Sequence, residues 1–307
     1  MADYELSREA EHLHYDFDRE RDPVLTVESG DTVAFECLDA GDGQLPPDAA
    51  PEDVQAVDAP GHPMTGPVEI AGAQPGDTLA VEILDVAHEG VGWTYVAPDA
   101  GLLPEAFPDF AVHTWDLDEA VGYFHGIEVP LHPFPGNLGV VPVEPGPHST
   151  IPPRSVGGNL DIKHLTAGST LYLPVEVAGG LFSVGDLHAA QGDGEVCITA
   201  IEIPGTVTVR LRLAERDVSG PEIETSGPFA PAGHTDRETD VRAVAGLGAD
   251  VNEATREAVR EMISLLTSET DLTREQAYML CSTAVDLKVS EVVNQTVVVT
   301  AYLGVSV

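Results

Sequence analysis

Basic residues are scarce in this chain. Fourteen Lys plus Arg stand against 52 Asp plus Glu in 307 residues, a formal net charge of −38. So strong a deficit excludes nucleic acid and anionic membrane surfaces as partners, because phosphate contacts need Lys and Arg. Cysteine is equally sparse. Cys37, Cys197 and Cys281 are an odd set at long spacing, which excludes a disulfide framework and a CxxC metal site and leaves reduced thiols as the expectation. No apolar run approaches the length needed to cross a bilayer. The start, Met1-Ala2-Asp3-Tyr4-Glu5, lacks the basic and apolar regions of a signal peptide, so a cytoplasmic location is expected. There is no G-x-S-x-G elbow, P-loop, dinucleotide fingerprint or HExxH helix, which removes support for Ser-His-Asp hydrolysis and nucleotide chemistry.

What is present belongs to a folded protein. Hydrophobic residues make up 43% of the chain and mean hydropathy is near zero, which is not the composition of a disordered segment. The acids are spread along the chain rather than blocked into a tail. At low ionic strength they would repel one another, whereas at 1 M salt the screening length falls to about 3 Å. Abundant acid, few bases and no disorder signal together read as adaptation to a salty interior.

Short β-branched runs between Gly and Pro dominate the first 235 residues. They include 24–27, 32–37, 68–70, 79–84, 170–175, 195–201 and the alternating 206–213. Near residue 250 the period changes. Asp250 and Glu253 form a capping pair, and Val251, Ala254, Ala258, Val259, Met262 and Leu266 recur at helical spacing. Thr273 and Gln276 offer a second capping box ahead of a helix from Arg274 to about Val285, and 295–303 returns to strand character. The expected fold is therefore mainly β. A single unit spans 1–307, with a β-rich body over 1–235 and a helical pair plus final strand over 236–307. Residues 4–21 read as a polar arm, and 41–61 and 98–153 as irregular loops, of a length that points to function or to an oligomer interface.

Two segments concentrate chemistry. The first is Gly157-Gly158-Asn159-Leu160-Asp161-Ile162-Lys163-His164. The second runs from Phe182 to Glu195 and sets Asp186, His188, Asp193 and Glu195 among three glycines. On a strand, Asp161 and Lys163 would share one face, and Ile162 and His164 the other. Carboxylates with imidazole are the ligand types of Zn²⁺ or, with more oxygens, of Ca²⁺ or Mg²⁺. The same Asp and Gly residues also make ordinary turns, Asp193-Gly194 being a common hairpin pair. Cys197 would share strand parity with Glu195 and Thr199, which keeps a thiol nucleophile open as an alternative.

These segments resemble the acetamidase/formamidase family. The likeness is carried by the runs 157–174 and 181–197, and extends to 25–33, 65–68, 72–77 and 284–293, so it covers nearly the whole chain. The resemblance implies a β-sandwich or barrel body, a bound divalent metal (Zn²⁺ first, Ca²⁺ or Mg²⁺ second), hydrolysis of a short amide to carboxylate and ammonia, and a homo-oligomer, dimer or higher. On that footing Asp161 and His188 are the expected metal ligands, with Glu36, Asp39, His62 and His164 in reserve. Glu195 is the expected base, Lys163 the group that stabilises the oxyanion, and Asp193 a further catalytic residue. Strand parity ranks Asp161 above His164. The rivals are a cysteine amidase using Cys197 and a metal-stabilised protein that binds a small ligand without turning it over.

Overall fold

A computed structural model of the protein describes residues 2–101, 108–124, 127–191, 195, 197–225, 241–272 and 285–303. Strands dominate, as the sequence predicts. They form two nine-stranded sheets and two small two-stranded ribbons among the described residues. Neither large sheet closes on itself, so the barrel half of the expectation is not met and the body is built of open sheets.

The first sheet contains the alternating strand Gly205–Ala214, hydrogen-bonded to Thr32–Cys37 on one side and Thr78–His88 on the other. Its inward residues Val207, Val209 and Leu211 are fully buried, as the period-2 pattern requires. The second sheet is organised around Phe182–His188, all seven residues of which are buried. The two sheets share one apolar core. Phe35 of the first meets Phe182 of the second edge to face, with ring centroids 5.8 Å apart.

The helix Val251–Glu269 appears where its cap predicts. The Asp250 carboxylate accepts from the Glu253 N–H, and Glu253 reaches back to the Ala249 N–H. Its buried face, including Ala254, Ala258, Met262 and Leu266, lies on Val241–Gly248. A Cβ at Gly246 or Gly248 would collide with the helix backbone, so these glycines set how closely helix and sheet approach. The second helix of the expected pair lies outside the described residues. The strands Val285–Glu291 and Val297–Leu303 extend the first sheet through Val241–Gly248.

Four local expectations are corrected. The polar arm is built in, because Tyr4–Leu6 pairs in parallel with the Thr32–Cys37 strand and His14 is buried beside Ser183. The stretch 98–153 carries the strands Ala111–Asp116, Val121–Phe124, Ile127–Pro130 and Phe134–Gly139. The last reads as a turn, Phe-Pro-Gly-Asn-Leu-Gly, yet it lies buried between two partners. Its glycines allow that contact, since a Cβ on Gly139 would lie 2.7 Å from the Gly158 nitrogen. The run 195–201 was expected as a strand. Its described residues form irregular backbone, with Glu195 at φ 45° and Ile198 at φ 83°. Asp161 likewise has φ 50° in non-strand backbone, so the parity arguments for 161–164 and for Cys197 do not apply.

Candidate active site

The site is assembled where three neighbouring segments of the second sheet meet. Asn137 and Gly185 face each other across the pair Phe134–Gly139 and Phe182–His188, and Asn137 pairs with Asn159 on its other side. Immediately after Asn159 the chain turns. The N–H groups of Leu160 and Asp161 both donate to the Gly136 carbonyl, at 2.9 and 3.1 Å. This turn presents the Asp161 carboxylate beside Asp186 and His188. Gly136 has no side chain because there is no room for one: a Cβ would lie 2.6 Å from both Asp161 Oδ1 and His188 Cε1.

His188 is the hub. Its Nε2 lies 3.3 Å from Asp186 Oδ1 and 3.2 Å from Glu202 Oε2, and its Nδ1 lies 3.9 Å from Asp161 Oδ1. The Phe134 ring meets the imidazole edge to face at 5.1 Å and helps fix its plane. Asp186 makes a second contact, Oδ2 to His62 Nδ1, at 3.2 Å. Glu202 is held by the Ala200 N–H, which donates to its Oε1 at 2.8 Å. Ligand atoms of Asp161, Asp186 and His188 lie within 4.8 Å of one another, as do those of His188, Glu195 and Glu202. The two triads overlap at His188.

Every one of these groups except His62 is buried, and the electrostatics follow. Burial, reinforced by Asp186 and Glu291, holds the Asp161 carboxyl well above the ordinary carboxylate range, despite the pull of His188. Burial and the Asp161 charge raise Glu195 in the same way. For His188, burial is the largest single influence and opposes the charged imidazole. The Glu202 and Asp186 carboxylates together outweigh it and leave the ring well above its usual value. Asp186, facing both imidazoles, is lowered despite its burial.

The pocket therefore sets four acidic side chains against two imidazoles. No Lys or Arg is among its described lining residues. Neither Asp161 oxygen has a hydrogen-bond donor among the described residues, and Asp186 Oδ1 and Glu202 Oε2 share the single Nε2 of His188. Several unpartnered buried carboxylate oxygens around one imidazole match the hard, mixed O/N donor set of a divalent cation. The residues present thus fit such a cation, with Asp161, Asp186 and His188 as the compact three-residue holder.

The sequence-predicted residues divide accordingly. Asp161, His188, Glu195 and His62 come together at the site. His164 does not. It is buried elsewhere, its Nε2 3.2 Å from Lys288 Nζ and its ring against Tyr302. Glu36 is exposed on its strand, since the alternation of Thr32–Cys37 turns Phe35 and Cys37 inward. Asp39 is buried but spent on a turn, its Oδ1 accepting from the Gly41 N–H at 2.9 Å. Lys163 is half-buried in the turn after Asp161, outside the cavity lining. Asp193 lies outside the described residues. Cys197 also does not line the cavity, and its Sγ donates to the Thr199 carbonyl at 3.5 Å.

Two members were missed. Asp186 stands two residues before His188, the same-face spacing of a strand, and that alternation was readable. Glu202 is an acid between Ile201 and Ile203 in an apolar run, a pattern that signals a buried carboxylate needing a partner.

Comparisons with known proteins give the chain's relatives. The profile of the acetamidase/formamidase family matches residues 2–149 and 145–307. The chain is 28% identical to the acetamidase of Mycolicibacterium smegmatis, over 85% of this chain and 82% of that one. It is 30% identical to the formamidase of Methylophilus methylotrophus, over 74% and 70%. A formamidase-named protein of Schizosaccharomyces pombe is 33% identical over 63% of this chain, and the chain spans 62% of that relative's length. Among solved structures, the acetamidase of Bacillus halodurans superposes with a TM-score of 0.87 at 33% identity, covering 97% of this chain and 96% of the other.

Proposed function

The chain belongs to the acetamidase/formamidase family, and from that premise we propose that it hydrolyses a short uncharged carboxamide to a carboxylate and ammonia with the help of a divalent cation. One observation carries the reading: buried carboxylate oxygens of Asp161, Asp186 and Glu202, more than the donors at hand can answer, cluster around His188, and Asp186, His188 and Glu202 line a cavity. Asp161, Asp186 and His188 would hold the cation, with Zn²⁺ first on donor chemistry. When bound, it supplies Lewis acidity, polarising the amide carbonyl and lowering the pKa of a water from about 16 to about 7.

The chain's own residues do the rest. Glu195 lines the cavity with its proton affinity raised, which suits a general base near neutral pH. It takes a proton from the attacking water as the new C–O bond forms. It then delivers that proton to the amide nitrogen as the C–N bond breaks and ammonia leaves. His62, positioned by Asp186, replaces Lys163 as the donor to the developing oxyanion. Glu202 holds His188 in place through Nε2.

The remaining properties extend the same reading. The acidic surface is that of a protein working in concentrated salt inside a cell, as a homo-oligomer, and the described residues 241–272 and 285–303 belong to the same unit as the body. The test of function is ammonia release from formamide and acetamide in molar salt, before and after chelation. Release that stops on chelation and returns with Zn²⁺ is expected. Release that survives full metal removal would overturn the cation's role.

A further inference from the structure

The cavity has a second lining that the proposed chemistry leaves unused. Its volume is about 350 Å³. Acetamide, with four heavy atoms, takes up roughly three water volumes, about 90 Å³, so a small aliphatic amide would leave most of the space to water. The carboxylates and His188 line part of it. Much of the rest is apolar: Val54, Val57, Trp93, Tyr95, Phe110 and Ile198.

This apolar lining is built rather than incidental. Trp93 and Tyr95 occupy alternate positions of the strand Val91–Val96, so they share a face, and their rings stack 5.2 Å apart at an interplanar angle of 7°. The short helix Pro51–Ala56 packs Val54 into the same cluster, together with Val57 and Phe110. Tyr95 also feels the site itself. Burial and the carboxylates of Glu202, Asp186 and Glu195 push its hydroxyl up to about 12.

We propose that the preferred substrate is a primary amide whose acyl group is uncharged, apolar and of ring size, as in phenylacetamide, seated against Trp93, Tyr95 and Phe110. The proposal rests on the amidase reading and names its substrate class. Two observations select that class. Trp93, Tyr95 and Phe110 bring three aromatic rings to one stretch of the lining, against which a planar ring packs edge to face or offset. With no Lys or Arg among the described lining residues, an acyl group that carries a carboxylate finds no cationic side chain along the apolar wall. Each methylene buried on such a wall strengthens binding about fourfold. Remote binding of that kind raises kcat/KM where it also orients the amide.

The test measures kcat/KM on Zn²⁺-loaded protein in molar salt for acetamide, butanamide, hexanamide and phenylacetamide. A rise of at least thirtyfold from acetamide to phenylacetamide is expected. A second readout needs no turnover: phenylacetamide should quench the tryptophan fluorescence of metal-free protein saturably, and Trp93→Leu should abolish that response. Val57→Phe, which fills the cavity from the helix end, should lower the phenylacetamide-to-acetamide ratio of kcat/KM at least tenfold. Acetamide turnover with a flat or falling series would overturn this proposal and leave the amidase reading standing. No ammonia from any amide would overturn the amidase reading and this proposal with it.

Discussion

Two carboxylate clusters in this molecule look alike by composition and differ in what answers them. One gathers Glu222, Glu224 and Glu269 around Arg216 and Arg242, whose guanidinium groups reach Glu222 at 3.2 and 3.5 Å and also pair with Glu224 and Glu269. Arg216 additionally lies over the Tyr172 ring, 4.4 Å from its centroid. The other gathers Asp161, Asp186, Glu195 and Glu202 around two imidazoles and leaves several oxygens without donors. Two guanidinium groups of the chain itself answer the first cluster, which ties the Glu222–Thr225 strand to the end of the long helix. The second calls for positive charge from outside. Buried charge is retained only when paired or when coordinating a metal, so an unanswered cluster marks the site better than any count of acids.

The largest effect expected from this contrast is at His188. His188→Ala removes the hub shared by both triads, and kcat/KM should fall at least a thousandfold with loss of Zn²⁺ measured by metal analysis. Glu195→Gln should lower kcat by about 10²–10⁴-fold while Zn²⁺ stays bound. Equal loss of metal in both variants would erase the distinction between holder and base.

His14 sharpens the same contrast, because it is a buried imidazole whose two hydrogen-bond partners are a carbonyl and a hydroxyl rather than carboxylates. Its Nδ1 lies 2.7 Å from the Asp16 carbonyl oxygen and its Nε2 2.8 Å from Ser183 Oγ. Burial, aided by Arg21, lowers its pKa to about 4. A lowered imidazole favours folding while neutral. The contribution is present above about pH 6.5 and is lost as pH falls toward 4, about 3 kcal/mol in all. Denaturant melts between pH 7 and 4 should show His14→Gln with a shallower acid slope than the parent. Identical slopes would refute the assignment.

The smallest effect is at the closed cluster. Arg216→Met should cost about 2 kcal/mol, between the values for exposed and for buried pairs, and lower the Tm by several degrees. Zn²⁺ content should not change, since Arg216 lies outside the cavity lining.

Much of the fold was legible from pattern alone. The alternation of 206–213 and the cap at Asp250 are local signals, and the strand and helix follow them closely. The buried strand Phe134–Gly139 was not legible. Its Pro and Gly content reads as turn until Gly157–Asn159 and Phe182–His188 pack against it. In the site, Asp161 and His188 stood out through clustering in the chain. His62 and Glu202 belong there through contacts across 124 and 14 residues that no local period encodes.

By itself, the sequence determined the class of the fold, the strong negative charge and the segments where chemistry gathers, because alternation, capping and composition act over a few neighbouring residues. The tertiary structure alone decided which acids meet. Positive φ at Asp161 and Glu195 and the close approach at Gly136 turn particular carboxylates toward His188. His164, a short step along the same segment, is sent to Lys288 and Tyr302 instead. Side-chain direction at an irregular turn depends on packing from distant strands, and that information is not local.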